Sequence, residues 1–243
     1  MTKPVKSMAI YLLPNLLTTS GLFFGFLSIL AAMNQHFFVS VYAIIVAMIL
    51  DGLDGRVARL TGTESAFGKE FDSLADMVSF GVSPALVMFC WHFQDFGKLG
   101  WAVSFCYVAA VALRLAKFNS QEQDKHFFRG LPCPASAAAL ISCLWVVEYY
   151  HIAWSSIPLL CLVYAILLAV LMISDVPYAS FKSQDMQRTI SWWHAFLLVG
   201  LCATLLIAPA FVVFVCINGY VLFCLFTWLF CSVQEQLATK TCE

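Results

Sequence analysis

The sequence has little charge for its length. Only 11% of its 243 residues are charged, whereas 62% are hydrophobic. A soluble globular domain carries about 25% charged residues. This chain therefore has too little polar surface to cover a soluble core of its size, which favours an integral membrane protein. The sequence also lacks a block of basic residues, so we expect no nucleic-acid partner.

The ten cysteines do not include a Cys-x-x-Cys pair, and most of them lie within apolar runs. Their spacing indicates neither a disulfide framework nor a zinc site. We interpret them as small apolar side chains.

Apolar segments of membrane-spanning length recur along the whole chain. We predict an all-α integral membrane protein with about eight transmembrane helices. The predicted spans lie near residues 8–32, 38–60, 73–91, 99–118, 133–151, 155–174, 191–213 and 216–234. The first span follows two lysines but is long and is succeeded by further spans, so we expect an uncleaved helix and not a signal peptide.

The distribution of basic residues along the chain tests the predicted number and orientation of the spans. With eight spans and the N-terminus inside, all of the 13 Lys and Arg residues except Lys98 fall in segments on one side of the membrane. The positive-inside rule therefore supports both the number of spans and their orientation. We predict a multi-pass protein of a bacterial-type inner (plasma) membrane.

Four aspartates stand close together between the second and third predicted spans. Asp51 and Asp54 lie i, i+3 near the end of the second span, and Asp72 and Asp76 lie i, i+4 at the start of the third. Each pair therefore shares one helical face. Because residues 60–68 turn the chain back, we expect the two pairs to face each other at the cytoplasmic side.

Carboxylates held together repel one another and are costly to desolvate, and bound cations relieve both problems. Oxygen ligands without nearby cysteine or histidine indicate Mg²⁺, Mn²⁺ or Ca²⁺ and not zinc. Two such ions among four carboxylates are typical of sites that clamp a phosphoryl or pyrophosphate group. The residues alone leave two alternatives open: ordinary helix-end charges at a membrane interface, and a transporter with an intramembrane carboxylate site.

The small residues around the aspartates fit a phosphate ligand. Gly55, Ala58 and Gly68 leave space for a ligand to approach the backbone, and Arg59 can neutralise a phosphate. The stretch matches the pattern D-x2-D-G-x2-A-R-x8-G-x3-D-x3-D at every fixed position. This pattern resembles the signature of the CDP-alcohol phosphotransferase family.

The resemblance implies a membrane enzyme that transfers a phosphatidyl-type group from a CDP-linked donor to an alcohol and releases CMP. It implies two divalent ions per site, Mg²⁺ or Mn²⁺, bound by Asp51, Asp54, Asp72 and Asp76, with Asp76 also acting as the general base. The family's nucleotide contacts carry over to Gly55, Arg59 and Ser65. By analogy with the family, the chain is expected to form a homodimer.

Five further stretches resemble the phosphatidylserine synthase branch of this family. They are PNLLTTSGLFFG, DSLADMVSFGVSPA, ALRLAKFN, GLPCPASAA and MISDVPYASFKS. They imply CDP-diacylglycerol as the donor and L-serine as the acceptor. We therefore expect residues 1–185 to form a family core of about six helices and residues 186–243 to add two helices and a short tail.

Polar residues on the first span provide further candidate contacts with the donor. Asn15 and Thr18 lie i, i+3 on one helical face, where polar groups need partners. We expect CDP-diacylglycerol to supply those partners. Hydrogen bonding between helices is the alternative.

Basic residues after the fourth span are candidates for binding the acceptor. Arg114 and Lys117 lie i, i+3, with Asn119 following. A carboxylate needs a cation, and arginine is suited to bidentate binding. We expect these three residues, with Ser83 and Arg129, to bind serine. A membrane-surface anchor is the alternative for the basic pair.

The choice of acceptor rests partly on the resemblance. Choline would call for an aromatic cage and no cationic partner, so the basic pair favours an anionic acceptor. Only the resemblance separates serine from glycerol 3-phosphate.

Overall fold

A computed structural model of the chain describes residues 8–120, 128–152, 158–174, 177–178, 200, 204 and 207–240. These residues are almost entirely helical. The helices are α1 (Met8–Met33), α2 (Phe37–Thr61), α3 (Ala66–Asp76), α4 (Ser83–Trp91), α5 (Lys98–Ser120), α6 (Cys133–Tyr149), α7 (Pro158–Ile173) and α8 (Pro209–Lys240). A π-helical segment, Met77–Val82, joins α3 to α4, and a short 3₁₀ helix, Phe93–Phe96, precedes α5.

Four helices in the described part of the chain are long and apolar enough to cross a membrane. They are Leu12–Met33, Phe37–Thr61, Ala66–Trp91 and Lys98–Ser120. These confirm the first four predicted spans as apolar helices. Three shorter apolar helices follow at Cys133–Tyr149, Leu159–Ile173 and Pro209–Phe223. The fifth and sixth predicted spans correspond to the first two of these.

The end of the chain departs from the prediction. The expected break between residues 213 and 216 is wrong, because α8 runs without interruption from Pro209 to Lys240. Residues 214–216 are apolar and include no helix breaker, and proline is well tolerated in the first turn of a helix. Most of the predicted seventh span, residues 191–213, lies outside the described residues.

The fold also contains one small element that is not helical. Phe128–Arg129 and Pro177–Tyr178 form a two-residue antiparallel ladder, with Phe128 opposite Tyr178. Next to it, Gly130 has a φ of +86°, and a β-carbon there would lie 2.6 Å from the Met172 carbonyl oxygen. This close approach fits the segment before α6 against the end of α7.

The turn between α2 and α3 is closed by local hydrogen bonds. Gly62 adopts a left-handed conformation (φ +61°). The Gly62 and Thr63 amides donate to the Arg59 and Ala58 carbonyls, as in a Schellman motif. Ser65 then caps α3, because its Oγ accepts a hydrogen bond from the Gly68 amide at 3.0 Å. This turn makes α2 and α3 antiparallel and brings their aspartates to the same level.

Helix α1 packs mainly along α2 and also contacts α3, the π-helical segment and α4. Its approach to the π-helical segment depends on Gly25, where a β-carbon would lie only 2.5 Å from Ser79 Oγ and 2.8 Å from Ser79 Cα. One turn away, Ser79 donates to the Gly21 carbonyl at 3.3 Å. Glycine therefore permits the close contact between α1 and this segment.

The π-helical segment is tied to the neighbouring helices through a backbone carbonyl. The Tyr107 hydroxyl on α5 donates to the Phe80 carbonyl at 3.3 Å, and Ser136 on α6 donates to the Tyr107 hydroxyl at 3.3 Å. Single π-helical turns inside helices are frequent at functional sites, and they disturb the regular backbone ladder. Here the segment directly follows Asp76.

Most of the buried core lies among α4, α5, α6 and α7. Val111, Leu131, Leu144 and Leu168 are fully buried within it. Helix α8 packs mainly on α6.

Candidate active site

A cleft open to solvent lies among α1, α2, α3 and the π-helical segment. Its lining combines acidic, small and apolar side chains. The lining residues are Thr18, Gly21, Leu22, Ala47, Asp51, Asp54, Asp72, Ala75, Asp76, Ser79 and Phe80. All four predicted metal-binding aspartates are therefore brought to the same cleft.

Three of these aspartates converge. Carboxylate oxygens of Asp51, Asp72 and Asp76 all lie within 4.8 Å of one another, and each side chain is partly buried. Asp51 comes from α2, and the other two come from successive turns of α3. The antiparallel turn between the helices produces this convergence.

The fourth aspartate is held separately. Asp54 is only 4% exposed, and its Oδ2 accepts a hydrogen bond from the Thr18 hydroxyl at 2.5 Å. Arg59 lies within electrostatic range of the same carboxylate. Asp54 thus borders the cleft but does not belong to the three-carboxylate group.

The donor set of the cleft fits a divalent metal of the Mg²⁺ or Mn²⁺ type. The three-carboxylate group offers oxygen ligands only, which such ions prefer. Among the described residues, no lysine or arginine forms an ion pair with any of the four aspartates, and the sole ion pair found there is His92–Asp95. Converging carboxylates without a protein cation are best stabilised by a bound one.

Three of the residues expected to contact the donor lie together beside the start of α3. A β-carbon on Gly68 would lie 3.1 Å from Ser65 Oγ and 3.6 Å from Asn15 Oδ1. Asn15 of α1 therefore approaches the capped N-terminus of α3, where backbone amides favour anions. Ser65 is also the capping residue of that helix.

The other expected donor contacts lie along α2. A β-carbon on Gly55 would lie 3.6 Å from Nη1 of Arg59, so the guanidinium lies over that glycine. The Ala58 carbonyl is used in the turn, where it accepts from the Thr63 amide at 3.0 Å. Thr18, also expected to meet the donor, donates a hydrogen bond to Asp54.

The expected acceptor residues are less closely grouped. Arg114 is partly buried, and its Nη1 donates to the Cys133 thiol at 3.2 Å. Its Nε is buried and has no hydrogen-bond partner in the described part of the protein. Cys133 lies within electrostatic range of Asp76. The guanidinium thus lies on the side of the bundle that faces the aspartates and retains a free donor.

Asn119 links two helices. Its Nδ2 donates to Glu70 Oε2 at 3.1 Å and to Ser73 Oγ at 3.0 Å, both on α3. Its Oδ1 is buried and accepts no hydrogen bond from the described residues. The amide nitrogen is therefore committed to holding the end of α5 against the helix that carries Asp72 and Asp76.

The remaining acceptor candidates lie elsewhere. Ser83 is fully buried and donates to Ser28 Oγ at 3.0 Å, and it is not among the residues that line the cleft. Lys117 is partly buried in the last turn of α5. Arg129 belongs to the two-residue ladder, and its side chain lies outside the described side chains.

Two further contacts at the site join different helices. Ser79 and Gly21 line the cleft and are hydrogen-bonded to each other. Cys133 contacts Arg114 although the two residues are 19 positions apart. The glycine spacing on α1 signalled close packing, but nothing in the sequence identified its partner.

Comparison with known proteins supports a specific family. A family model described as CDP-alcohol phosphatidyltransferase matches residues 11–225. The CDP-diacylglycerol–serine O-phosphatidyltransferase of Helicobacter pylori (strain ATCC 700392 / 26695) is 38% identical over 229 residues, or 93% of this chain and 94% of that protein.

More distant relatives are similar over much of their length. The protein of the same name from Mycobacterium leprae (strain TN) is 31% identical over 222 residues, 88% of this chain and 74% of its own length. Archaetidylserine synthase from Methanothermobacter thermautotrophicus is 34% identical over 180 residues, 73% of this chain and 74% of that protein. The family match over residues 11–225 therefore spans the segment that carries the aspartates and most of the described helices.

Proposed function

Because the chain belongs to the CDP-alcohol phosphatidyltransferase family, we propose that it transfers the phosphatidyl group of CDP-diacylglycerol to L-serine, producing phosphatidylserine and CMP. The observation that carries this proposal is the convergence of Asp51, Asp72 and Asp76 at one cleft. The names of relatives up to 38% identical support the choice of both substrates.

Asp51, Asp54, Asp72 and Asp76 are the proposed ligands of two Mg²⁺ or Mn²⁺ ions. Their oxygen atoms, and the absence of an ion pair to any of them among the described residues, support this assignment. Ions bound there would offset the negative charge that develops on the phosphate oxygens and on the departing CMP.

The donor headgroup is proposed to lie between α1, the end of α2 and the start of α3. Asn15 and Gly68 approach each other there, and backbone amides at the capped end of α3 suit a phosphate. Gly55, with the Arg59 guanidinium over it, leaves room for the nucleotide and adds positive charge. Ala58 and Ser65 border the same region through the α2–α3 turn.

Asp76 is proposed to act as the general base. It removes the proton from the serine hydroxyl while the hydroxyl oxygen forms a bond to the lipid-side phosphorus and the bond from that phosphorus to CMP breaks. A carboxylate is a weak base for an alcohol, so the proton moves late in the transition state. A direct single displacement accounts for the products without a covalent enzyme intermediate.

Arg114 is the proposed partner of the serine carboxylate. Its buried Nε lacks an acceptor in the described structure, and buried donors normally have one. A carboxylate could receive two parallel hydrogen bonds from this guanidinium. Lys117 and Asn119 follow Arg114 on α5, and these two residues, Ser83 and Arg129 remain predictions for the acceptor site.

The membrane arrangement is proposed from charge. The active site faces the cytoplasm of a bacterial-type inner membrane, because basic residues concentrate on that side of the predicted spans. The division into a core at residues 1–185 and an addition at 186–243, the eight-span arrangement and a homodimer remain predictions.

An assay of CMP release tests the proposal. The detergent-purified protein is mixed with CDP-diacylglycerol and, in turn, L-serine, glycerol 3-phosphate, choline or no acceptor, with Mg²⁺, Mn²⁺ or EDTA. We expect CMP release only with serine and a divalent ion. The Asp95→Asn variant is the matched control, because Asp95 lies at an exposed helix end beside His92.

Each other outcome has a distinct meaning. Faster release with glycerol 3-phosphate or choline reassigns the acceptor but keeps the chemistry. Release that is unaffected by EDTA contradicts the metal-dependent mechanism. No release with any alcohol, together with solute or ion flux in liposomes, would identify a transporter.

A further inference from the structure

A side-chain hydrogen bond joins α1 to the aspartate-bearing end of α2. Thr18 is 7% exposed and Asp54 is 4% exposed, and the Thr18 hydroxyl lies 2.5 Å from Asp54 Oδ2. The two residues are 36 positions apart, so the contact depends on the packing of the two helices. It holds the one aspartate that stands apart from the three-carboxylate group.

The contact is not needed to satisfy the Thr18 hydroxyl. Thr18 Oγ1 also lies 3.1 Å from the Pro14 carbonyl, the usual partner of a threonine inside a helix. The adjacent Thr19 donates only to the Asn15 carbonyl, at 2.7 Å. A hydroxyl has one proton to donate, and a bond to a carboxylate is stronger than one to a neutral carbonyl.

We propose that Thr18 is a positioning residue that fixes the orientation of the Asp54 carboxylate for binding a divalent ion. The hydroxyl restrains Oδ2, and the same carboxylate would provide the ligand oxygen for the ion. The inference rests on the metal-binding role of Asp54 in the proposed function, and it gives Thr18 a role other than contact with CDP-diacylglycerol.

The proposal follows from the behaviour of buried carboxylates. Without its donor, a buried carboxylate loses a charge-assisted hydrogen bond and the restraint on its side-chain torsions. Partners that orient metal ligands generally alter metal affinity by about 10- to 100-fold when they are removed. Thr18 should therefore influence metal binding even when no substrate is present.

Two conservative substitutions and one neighbouring control test this. Thr18→Val removes the hydroxyl and keeps the volume, whereas Thr18→Ser keeps the hydroxyl. Thr19→Val removes a hydroxyl from the next residue, which is exposed and bonded only to its own helix. Binding of Mn²⁺ to each purified protein, without substrates, is measured by electron paramagnetic resonance, and the KM for CDP-diacylglycerol is measured at saturating Mn²⁺.

We expect Thr18→Val to weaken Mn²⁺ binding by at least about tenfold. Thr18→Ser and Thr19→Val should bind Mn²⁺ as the wild type does. The KM for CDP-diacylglycerol should be unchanged in all three variants once Mn²⁺ is saturating. If Thr18→Val elutes as an aggregate, Thr18→Ala replaces it, because it removes the same hydroxyl without placing a second methyl group against Asp54.

Several results would overturn the inference. Wild-type Mn²⁺ affinity in Thr18→Val would remove the positioning role. A raised KM with unchanged Mn²⁺ affinity would assign Thr18 to the donor lipid. Absence of Mn²⁺ binding by the wild type would reject both this inference and the metal sites, whereas Mn²⁺ binding without CMP release would reject the proposed reaction and leave the inference standing.

Discussion

Polar side chains lie among apolar ones in two regions of the molecule: the cleft at α1, α2 and α3, and the contact among α6, α7 and α8. The two regions differ in the partners that these polar side chains have. At the second location Tyr164 donates to Asn218 Oδ1, while Asn218 Nδ2 donates to the Phe214 carbonyl at 2.7 Å and to Ser142 Oγ at 3.4 Å. Ser142 in turn donates to the Ala139 carbonyl. Donors and acceptors match without any added group.

At the cleft, three carboxylates converge on one another. Asp51, Asp72 and Asp76 point oxygens at one another, and the described residues provide no ion pair to any of them. A satisfied buried network stabilises the contact between helices, whereas converging carboxylates without an ion pair favour a bound cation. The difference distinguishes a structural contact from a binding site more clearly than polarity alone does.

The strongest test of this contrast is Asp76→Asn. We expect CMP release to fall by at least about 10³-fold, because the variant loses both the base and a metal ligand. The thermal unfolding midpoint without metal should stay level or rise, because one of three mutually repelling carboxylates is gone. Turnover at the wild-type rate would refute the assignment of Asp76, and Asp95→Asn should retain both activity and stability.

Arg114→Gln tests whether the Arg114 guanidinium, whose Nε has no hydrogen-bond partner in the described structure, binds the carboxylate of serine. Hydrogen bonds to charged groups contribute about 1.5–3 kcal/mol, so kcat/KM for serine should fall by about 10- to 100-fold. The KM for CDP-diacylglycerol should not change. Equal losses for both substrates would argue against binding of the serine carboxylate, and Lys98→Gln at the other end of α5 is the control.

Gly25→Ala tests how closely the cleft depends on packing. The new β-carbon would lie 2.5 Å from Ser79 Oγ, so either α1 or the π-helical segment must move. Overpacking of this kind costs about 1–3 kcal/mol, measured as the free energy of unfolding in detergent, and we expect activity to decrease as well.

The matched control is Gly219→Ala in α8, where a β-carbon would meet nothing within 4 Å. This variant should gain up to about 1 kcal/mol through helix propensity. Equal stability changes in the two variants would show that the contact between Gly25 and Ser79 is not tight.

We expect the smallest loss of stability from a substitution in the hydrogen-bond network of Tyr164, Asn218 and Ser142. Tyr164→Phe leaves Asn218 Oδ1 without its donor, and interhelical hydrogen bonds in membranes contribute about 0.6–2 kcal/mol. We expect a loss of stability in that range with unchanged Mn²⁺ binding. A change in Mn²⁺ affinity would contradict the distinction between a structural network at α6–α8 and a binding site at the cleft. Tyr149→Phe is the control, because the Tyr149 ring is exposed.

Hydropathy predicted most of the long helices because it reports lipid-facing surface along each helix. The second and fourth predicted spans, 38–60 and 99–118, end within two residues of the helices Phe37–Thr61 and Lys98–Ser120. The third was predicted to start at residue 73, but α3 begins at Ala66. Its first turns are polar and are stabilised by the Ser65 cap, which a hydropathy window does not detect.

The spacing of the four aspartates predicted that they would lie close together. Each pair, i, i+3 or i, i+4, lies on one face of its helix, and the two pairs flank the turn between α2 and α3. It could not predict which carboxylate would stand apart, because that depends on how α1 lies against α2. A polar residue at position 18 was expected to need a partner, and packing of α1 against α2 supplies one in Asp54. Contacts such as Arg114 with Cys133 depend in the same way on tertiary packing.

The π-helical segment Met77–Val82 separates the third span into α3 and α4, so the faces of these two helices can point in different directions. An extra residue in one turn rotates everything beyond it by about 100° relative to a regular helix. The face carrying Asp72 and Asp76 can therefore be aimed at the cleft while the face of α4 is aimed separately at its packing partners. Loss of one residue within this segment would turn one face away from its partners, so the length of Met77–Val82 is as much a part of the site as the aspartates beside it.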